Sequence, residues 1–121
     1  MANEITLTAA ITFSRAAAPT YSEALSFGGI QIDQAGTDYS GGSQEIGTSQ
    51  ETLGKGSITT IGYVIIKNLD ATNLVQLGSV SGELGITLKA GEVALFRVSA
   101  AEVYAQANSS ACNVQYLLIE N

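Results

Sequence analysis

The sequence predicts an all-β protein, a jelly-roll-like β-sandwich of about eight short strands forming a single domain over residues 1–121. Three observations carry that expectation. The first segment alternates strictly, with Ile5, Leu7, Ala9, Ile11 and Phe13 on odd positions and Thr6, Thr8, Thr12 and Ser14 between them. The densest apolar run, Gly62-Tyr63-Val64-Ile65-Ile66-Lys67-Asn68, is β-branched. Clusters of Gly, Asn, Asp and Ser recur between such runs at short intervals. A chain of 121 residues fits one core, and 45% apolar residues exclude disorder.

Taken in order, period two over the first segment sets one strand face toward a core and the other toward solvent or a neighbour. Residues 15–22 hold the only proline, Pro19, and read as a connection. The next strand changes phase: Leu25 and Phe27 are odd, Ile30 and Ile32 even, with Gly28-Gly29 at the switch. One extra residue at a glycine is what a β-bulge supplies, and a short turn would give a similar pattern. Residues 34–43 are rich in Gly, Ser, Asp and Thr and predict an exposed loop, with Tyr39 on it. Polar residues then dominate up to Gly56 around two anchors, Ile46 and Leu53, which suggests an irregular or edge strand.

The run from Gly62 to Asn68 predicts a strand buried on both faces. Asp70-Ala71-Thr72-Asn73 has turn chemistry, and residues 74–79 follow as the expected hairpin partner. A strand near Ile86 to Leu88 leads into Lys89-Ala90-Gly91-Glu92, where Gly91 suits the positive φ of a type II turn. Residues 93–98 form a further strand, with Phe96 and Arg97 on opposite faces. Residues 100–107 fit a helical turn, with strand over Val103 to Gln106 as the alternative. After Asn108-Ser109-Ser110 the chain closes in a β-rich run, Val114 to Glu120.

Composition narrows the function classes. Charged residues are only 13%, about half the usual share, and interface centres are depleted of charge in the same way. Eleven acids against five bases give a net charge of −6, which repels a phosphate backbone, so no nucleic-acid partner is expected. Cys112, the single cysteine, forms no intrachain disulfide and reads as a small apolar residue near a strand start. Glu4 stands where an export signal would be basic, so no signal peptide is expected. The apolar runs are far shorter than a bilayer span requires, so no membrane partner is expected either.

Chemistry is sparse. With no histidine, the usual general base and the commonest transition-metal ligand are missing. Glu45 with Glu51, or Asp33 with Asp38, could flank a sugar as paired carboxylates, but the chain lacks the tryptophan a sugar cleft favours. Asp70 and Asn73 are the best calcium candidates and equally ordinary turn formers. Gly54-Lys55-Gly56-Ser57 echoes only the end of a phosphate loop, and Asn108-Ser109-Ser110 matches a glycosylation acceptor that also reads as a turn. Tyr63, Tyr104 and Tyr116 fall in strand-like segments and read as core or interface; Tyr39 is the tyrosine placed for ligand contact. The expectation is therefore a non-enzymatic protein with no catalytic, cofactor or metal residues.

Several stretches together carry a resemblance: Ile46-Gly47-Thr48, Gly62 through Asn73, Leu88 through Glu92, the Arg97 strand, Tyr104 through Asn108, and Val114 through Glu120. In order and spacing they resemble small virion proteins of tailed bacteriophages, over roughly residues 44–121. The resemblance implies a virion structural protein, expected as a capsid decoration or cement protein. A tail or fibre component, or a carbohydrate- or receptor-binding module using a loop such as Gly36 to Gly42, is the alternative. It further implies residence in the phage particle after synthesis in the host cytoplasm. The expected partners are further copies of the chain, as a homo-oligomer with a trimer favoured, and the major capsid protein or another virion protein.

Overall fold

The computed structural model describes residues 3–121. It contains ten strands and, among the described residues, no helix: β1 (Ile5–Arg15), β2 (Tyr21–Ile32), β3 (Tyr39–Ile46), β4 (Glu51–Thr52), β5 (Ile61–Asn68), β6 (Val75–Gly78), β7 (Ile86–Leu88), β8 (Val93–Ala100), β9 (Tyr104–Ala107) and β10 (Cys112–Glu120). The chain divides into two compact units, Met1–Ala35 and Gly36–Asn121. The first unit is a hairpin in which β1 pairs only with β2; the other eight strands make two four-stranded antiparallel sheets. The sandwich expected over residues 1–121 is thus built by Gly36–Asn121, and the first two strands pair only with each other.

The hairpin is regular along its length. Ile5 opposes Ile32, Leu7 opposes Ile30, Ala9 opposes Phe27 and Ile11 opposes Leu25, with one register shift between Leu7 and Ala9. At that shift Gly28 and Gly29 together oppose Thr8, whose hydroxyl accepts the Gly29 N–H at 3.4 Å. Gly29 has φ 67°, a conformation that costs a residue with a Cβ. The bulge predicted at Gly28-Gly29 is therefore present, and its physical effect is specific. It cancels the phase change in β2, so that Leu25, Phe27, Ile30 and Ile32 all join the odd residues of β1 on one face. The other face carries Thr6, Thr8, Ala10, Thr12 and Ser14.

In the second unit the sheets run β3-β10-β5-β8 and β4-β9-β6-β7. Counted from β3, this is the order 1-8-3-6 over 2-7-4-5, and only the β6–β7 connection stays within one sheet. Such constant crossing between layers builds a two-layer β-sandwich. Both sheets supply the core. Ile46, Val64, Ile66, Val114 and Leu118 come from one; Val75, Leu77, Leu88 and Ala105 come from the other; Leu53, Ile58, Ile61 and Val103 close the ends. Each Val, Leu or Ile side chain among them contributes about 1.5–3 kcal/mol by leaving water. The two predicted anchors, Ile46 and Leu53, are both buried, as is Cys112 at the first position of β10.

A buried polar hub fixes one end of this core. Asn68 is fully buried. Its amide Nδ2 donates to the carbonyls of Asn73 (2.9 Å) and Leu88 (3.1 Å), and its Oδ1 accepts the Asp70 N–H at 2.9 Å. Its backbone N–H donates to Glu92 and its carbonyl accepts from Gly91. One residue thereby ties the ends of β5 and β7 to the turns that follow them, through its side chain and its backbone. The Lys89–Glu92 turn is the predicted one, with Gly91 at φ 79° and the Glu92 N–H donating to Lys89 at 3.1 Å.

Four expectations are corrected. Residues 39–43 are strand, not loop: β3 pairs with β10 along its whole length. Gly41 sits there because a Cβ would stand 2.8 Å from the Tyr116 carbonyl, so close strand approach selects glycine where composition suggested flexibility. Residues 74–79 are not the hairpin partner of β5; β6 crosses to the opposite sheet and pairs with β7 and β9. The β5 strand is buried on one face only, since Val64, Ile66 and Asn68 are buried while Ile65 and Lys67 are exposed. Residues 104–107 are strand rather than helical turn, because β9 hydrogen-bonds into the gap between β4 and β6.

Candidate interaction surface

The open face of the β3-β10-β5-β8 sheet is built from the odd positions of these strands. Directly opposed residues of antiparallel strands share a face, which makes Gly41, Leu117, Ile65 and Leu95 one row across the sheet. The row beside it is Tyr39, Ile119, Tyr63 and Arg97, and on the other side lie Ser43, Gln115, Lys67 and Val93. Five apolar or aromatic side chains here, Tyr39, Ile65, Val93, Leu95 and Leu117, are between 37% and 74% exposed. Scattered exposed apolar residues are ordinary, whereas these form a contiguous row over three strands, which makes the face a candidate contact surface. A shallow depression of about 320 Å³ lies on this face, lined by Ile65, Lys67, Val93, Gln115 and Leu117. Arg97 holds its guanidinium 5.0 Å from the Tyr63 ring centroid, which leaves the aromatic edge of the patch ordered.

The residues singled out for chemistry are placed in structural roles. Glu51 accepts the Gly47 N–H (2.9 Å) and the Gln44 amide (3.1 Å), whereas Glu45 lies opposite Asn113 on the open sheet face. Asp33 and Asp38 fall in different units; Asp33 accepts the Asn3 N–H at 2.6 Å. Asp70 closes an Asx turn, accepting the N–H groups of Thr72 (3.0 Å) and Asn73 (2.6 Å), and these bonds hold its carboxyl below the usual range. Lys55 donates to the Ala101 carbonyl at 2.7 Å and pairs with Glu102 at 3.1 Å, so the Gly54–Ser57 segment is a strapped turn. Asn108 accepts the Leu74 N–H at 3.1 Å, which caps the turn between β9 and β10. Among the described residues no three His, Cys, Asp or Glu side chains gather as metal ligands would.

The tyrosines separate by environment. Tyr116 packs on the core and donates its hydroxyl to the Gly54 carbonyl at 2.9 Å, and burial pushes its pKa up. Tyr63 and Tyr104 lie half-buried in β5 and β9. Tyr39 is largely exposed, on a strand rather than a loop. The segment from Gly36 to Gly42 is therefore partly strand; Gly41 serves close approach to β10, and Gly42 holds a φ of 138°. Burial also raises the pKa of the Cys112 thiol, which suits a packing residue.

Sequence reasoning passed over Glu120. Its carboxylate accepts the Thr59 N–H (3.1 Å) and hydroxyl (3.0 Å) on one oxygen, and the N–H groups of Thr37 (3.0 Å) and Asp38 (3.2 Å) on the other. These donors stabilise the charged form and lower its pKa to about 2, led by the Thr59 backbone. The clamp joins the end of β10 to the approach of β3 and the loop before β5, residues far apart in sequence. No local pattern announces it.

The fold and surface together define an all-β sandwich with an open apolar row on one sheet. Comparison with protein-family models, curated proteins and solved structures found no match.

Proposed function

We propose that the chain is a non-enzymatic structural component of a tailed-bacteriophage particle, acting as a capsid decoration protein that binds as a homo-oligomer. The observation that carries the reading is the open apolar row Leu117–Ile65–Leu95 on a hydrogen-bonded four-stranded sheet. Its chemistry suits a permanent protein neighbour. The resemblance of residues 44–121 to small virion proteins supplies the particle, and the low charge of 13% supplies surfaces that tolerate burial. The trimer is favoured on the resemblance, and the major capsid protein is the neighbour that a decoration protein contacts.

The test is direct binding of the purified chain to empty phage capsids, run beside a glycan array. Capsid binding that is lost in Ile65→Asp, with the melting transition retained, supports the reading. Glycan binding without capsid binding replaces it with the receptor-binding module, for which the accessible Tyr39 is the residue to substitute.

A further inference from the structure

The hairpin carries a second apolar face, larger than the first. Ile11, Phe13, Tyr21, Leu25, Phe27 and Ile30 are between 43% and 73% exposed. All six lie on the face defined by the β1–β2 register, with Ile5, Leu7, Ala9 and Ile32 continuing it. Phe13 and Tyr21 stack along this face at 6.3 Å between centroids. A side chain of this kind offers roughly 200 Å² when free, so the six leave on the order of 700 Å² open. That approaches the roughly 800 Å² each partner contributes to a stable interface, and it exceeds the largest patch that most monomers carry. A two-stranded hairpin is also marginal in water until its apolar face is covered.

Length and charge select a second copy of the hairpin as the occupant. From Ile5 to Phe13 the stripe runs about 30 Å at the usual rise per residue. The open row of the sandwich spans only three strands, about 10 Å, and so matches the stripe poorly; a second hairpin matches it end to end. Two charges of opposite sign lie on the stripe, both near its turn end: Arg15 opposite Tyr21, and Glu23 opposite Phe13. Among the described residues the only ion pair is Lys55–Glu102, so Arg15 and Glu23 do not pair within the chain. Parallel packing about a symmetry axis along the strands sets β1 of one copy beside β2 of the next. Arg15 then meets the Glu23 carboxylate of its neighbour. Antiparallel packing would instead press Arg15 against the Ile5–Ile32 end and Glu23 against Leu7 and Ile30, with no compensation.

We infer that β1–β2 is an oligomerisation arm, whose apolar face packs in parallel against the same face of further copies of the chain, closed at its turn end by Arg15–Glu23 pairs between copies. The inference rests on the homo-oligomer proposed above and does not need the virion role.

The experiment measures the mass of the full-length protein by light scattering and sedimentation across a concentration series. Ile11→Glu with Leu25→Glu puts like charges in the centre of the stripe and should yield monomers whose sandwich melts like the parent's. Arg15→Glu alone should weaken association by roughly tenfold or more through like-charge contact with Glu23. Arg15→Glu combined with Glu23→Arg should restore it. A monomeric parent overturns both the homo-oligomer and this inference. A parent oligomer that survives Ile11→Glu with Leu25→Glu overturns the inference alone and leaves the homo-oligomer standing on another surface. Failure of the double charge exchange to rescue Arg15→Glu overturns the parallel arrangement.

Discussion

The β1–β2 hairpin and the β3–β10 sandwich both gather apolar side chains on one face of each strand, but only the sandwich covers that face. In the sandwich, Val64, Ile66, Val114 and Leu118 meet Val75, Leu77 and Ala105 of the facing sheet. In the hairpin the equivalent positions, such as Ile11 and Leu25, stay open. Alternation therefore announces an apolar face without saying what will lie on it. A sheet needs a second layer to bury that face, and a chain can draw the layer from itself or from a neighbour. The contrast recurs within one strand, where Ile65 and Ile66 are adjacent and lie on the open and closed sides.

Substitutions at the closed face should have the largest effects. Ile66→Ala should cost about 2–5 kcal/mol, because it removes a fully buried side chain and leaves a cavity. Chemical denaturation measures this, and a loss near zero would place Ile66 outside the core. Asn68→Leu should cost about 2 kcal/mol, since the carbonyls of Asn73 and Leu88 and the Asp70 N–H would lose their partner inside the protein.

Acid sharpens the comparison next, because the carboxylate clamp belongs to the sandwich. Glu120 titrates near about 2 in the folded chain against a normal value of 4.5. The unfolded chain binds more protons between these values, so stability falls as the pH drops through that window. The Glu120 contribution is fully present above about 4.5 and gone once pH passes below about 2. Thermal melting across this range should show a shallower acid slope in Glu120→Gln. Asp70, lowered in the same direction, contributes a further part of the slope.

Smaller effects are expected at the open faces. Ile65→Ala should change sandwich stability by less than about 1 kcal/mol while weakening the capsid binding proposed above, the reverse of Ile66→Ala. Smallest of all, Ile11→Ala should leave the sandwich transition within about 0.5 kcal/mol of the parent, with its effect confined to association. A large melting change at either position would show that its face is closed within the chain.

Much of the fold was legible locally. The strand in residues 5–13, the bulge at Gly28-Gly29, the turn residues Asp70 and Gly91, and the burial of Ile46, Leu53 and Cys112 all follow from short-range rules. Side-chain alternation, positive φ and Asx capping are decided within a few residues of the position concerned. The first candidate surface was only half legible. Ile65, Leu95 and Leu117 are unremarkable in their own strands and become a row only through the registers of β10 with β5 and of β5 with β8.

By itself, then, the sequence determined that the chain is all-β, where most strands run and which turns join them, because those features depend on neighbouring residues. Only the tertiary structure decided that β6 leaves β5 for the opposite sheet, that glycine-rich residues 39–43 pair with β10, and that Glu120 clamps Thr37, Asp38 and Thr59. It alone decided which apolar faces are closed and which stay open. The physical reason is common to all of these. Strand pairing and layer packing join residues distant in sequence, so their outcome is set by competition among all available partners, which no local pattern records.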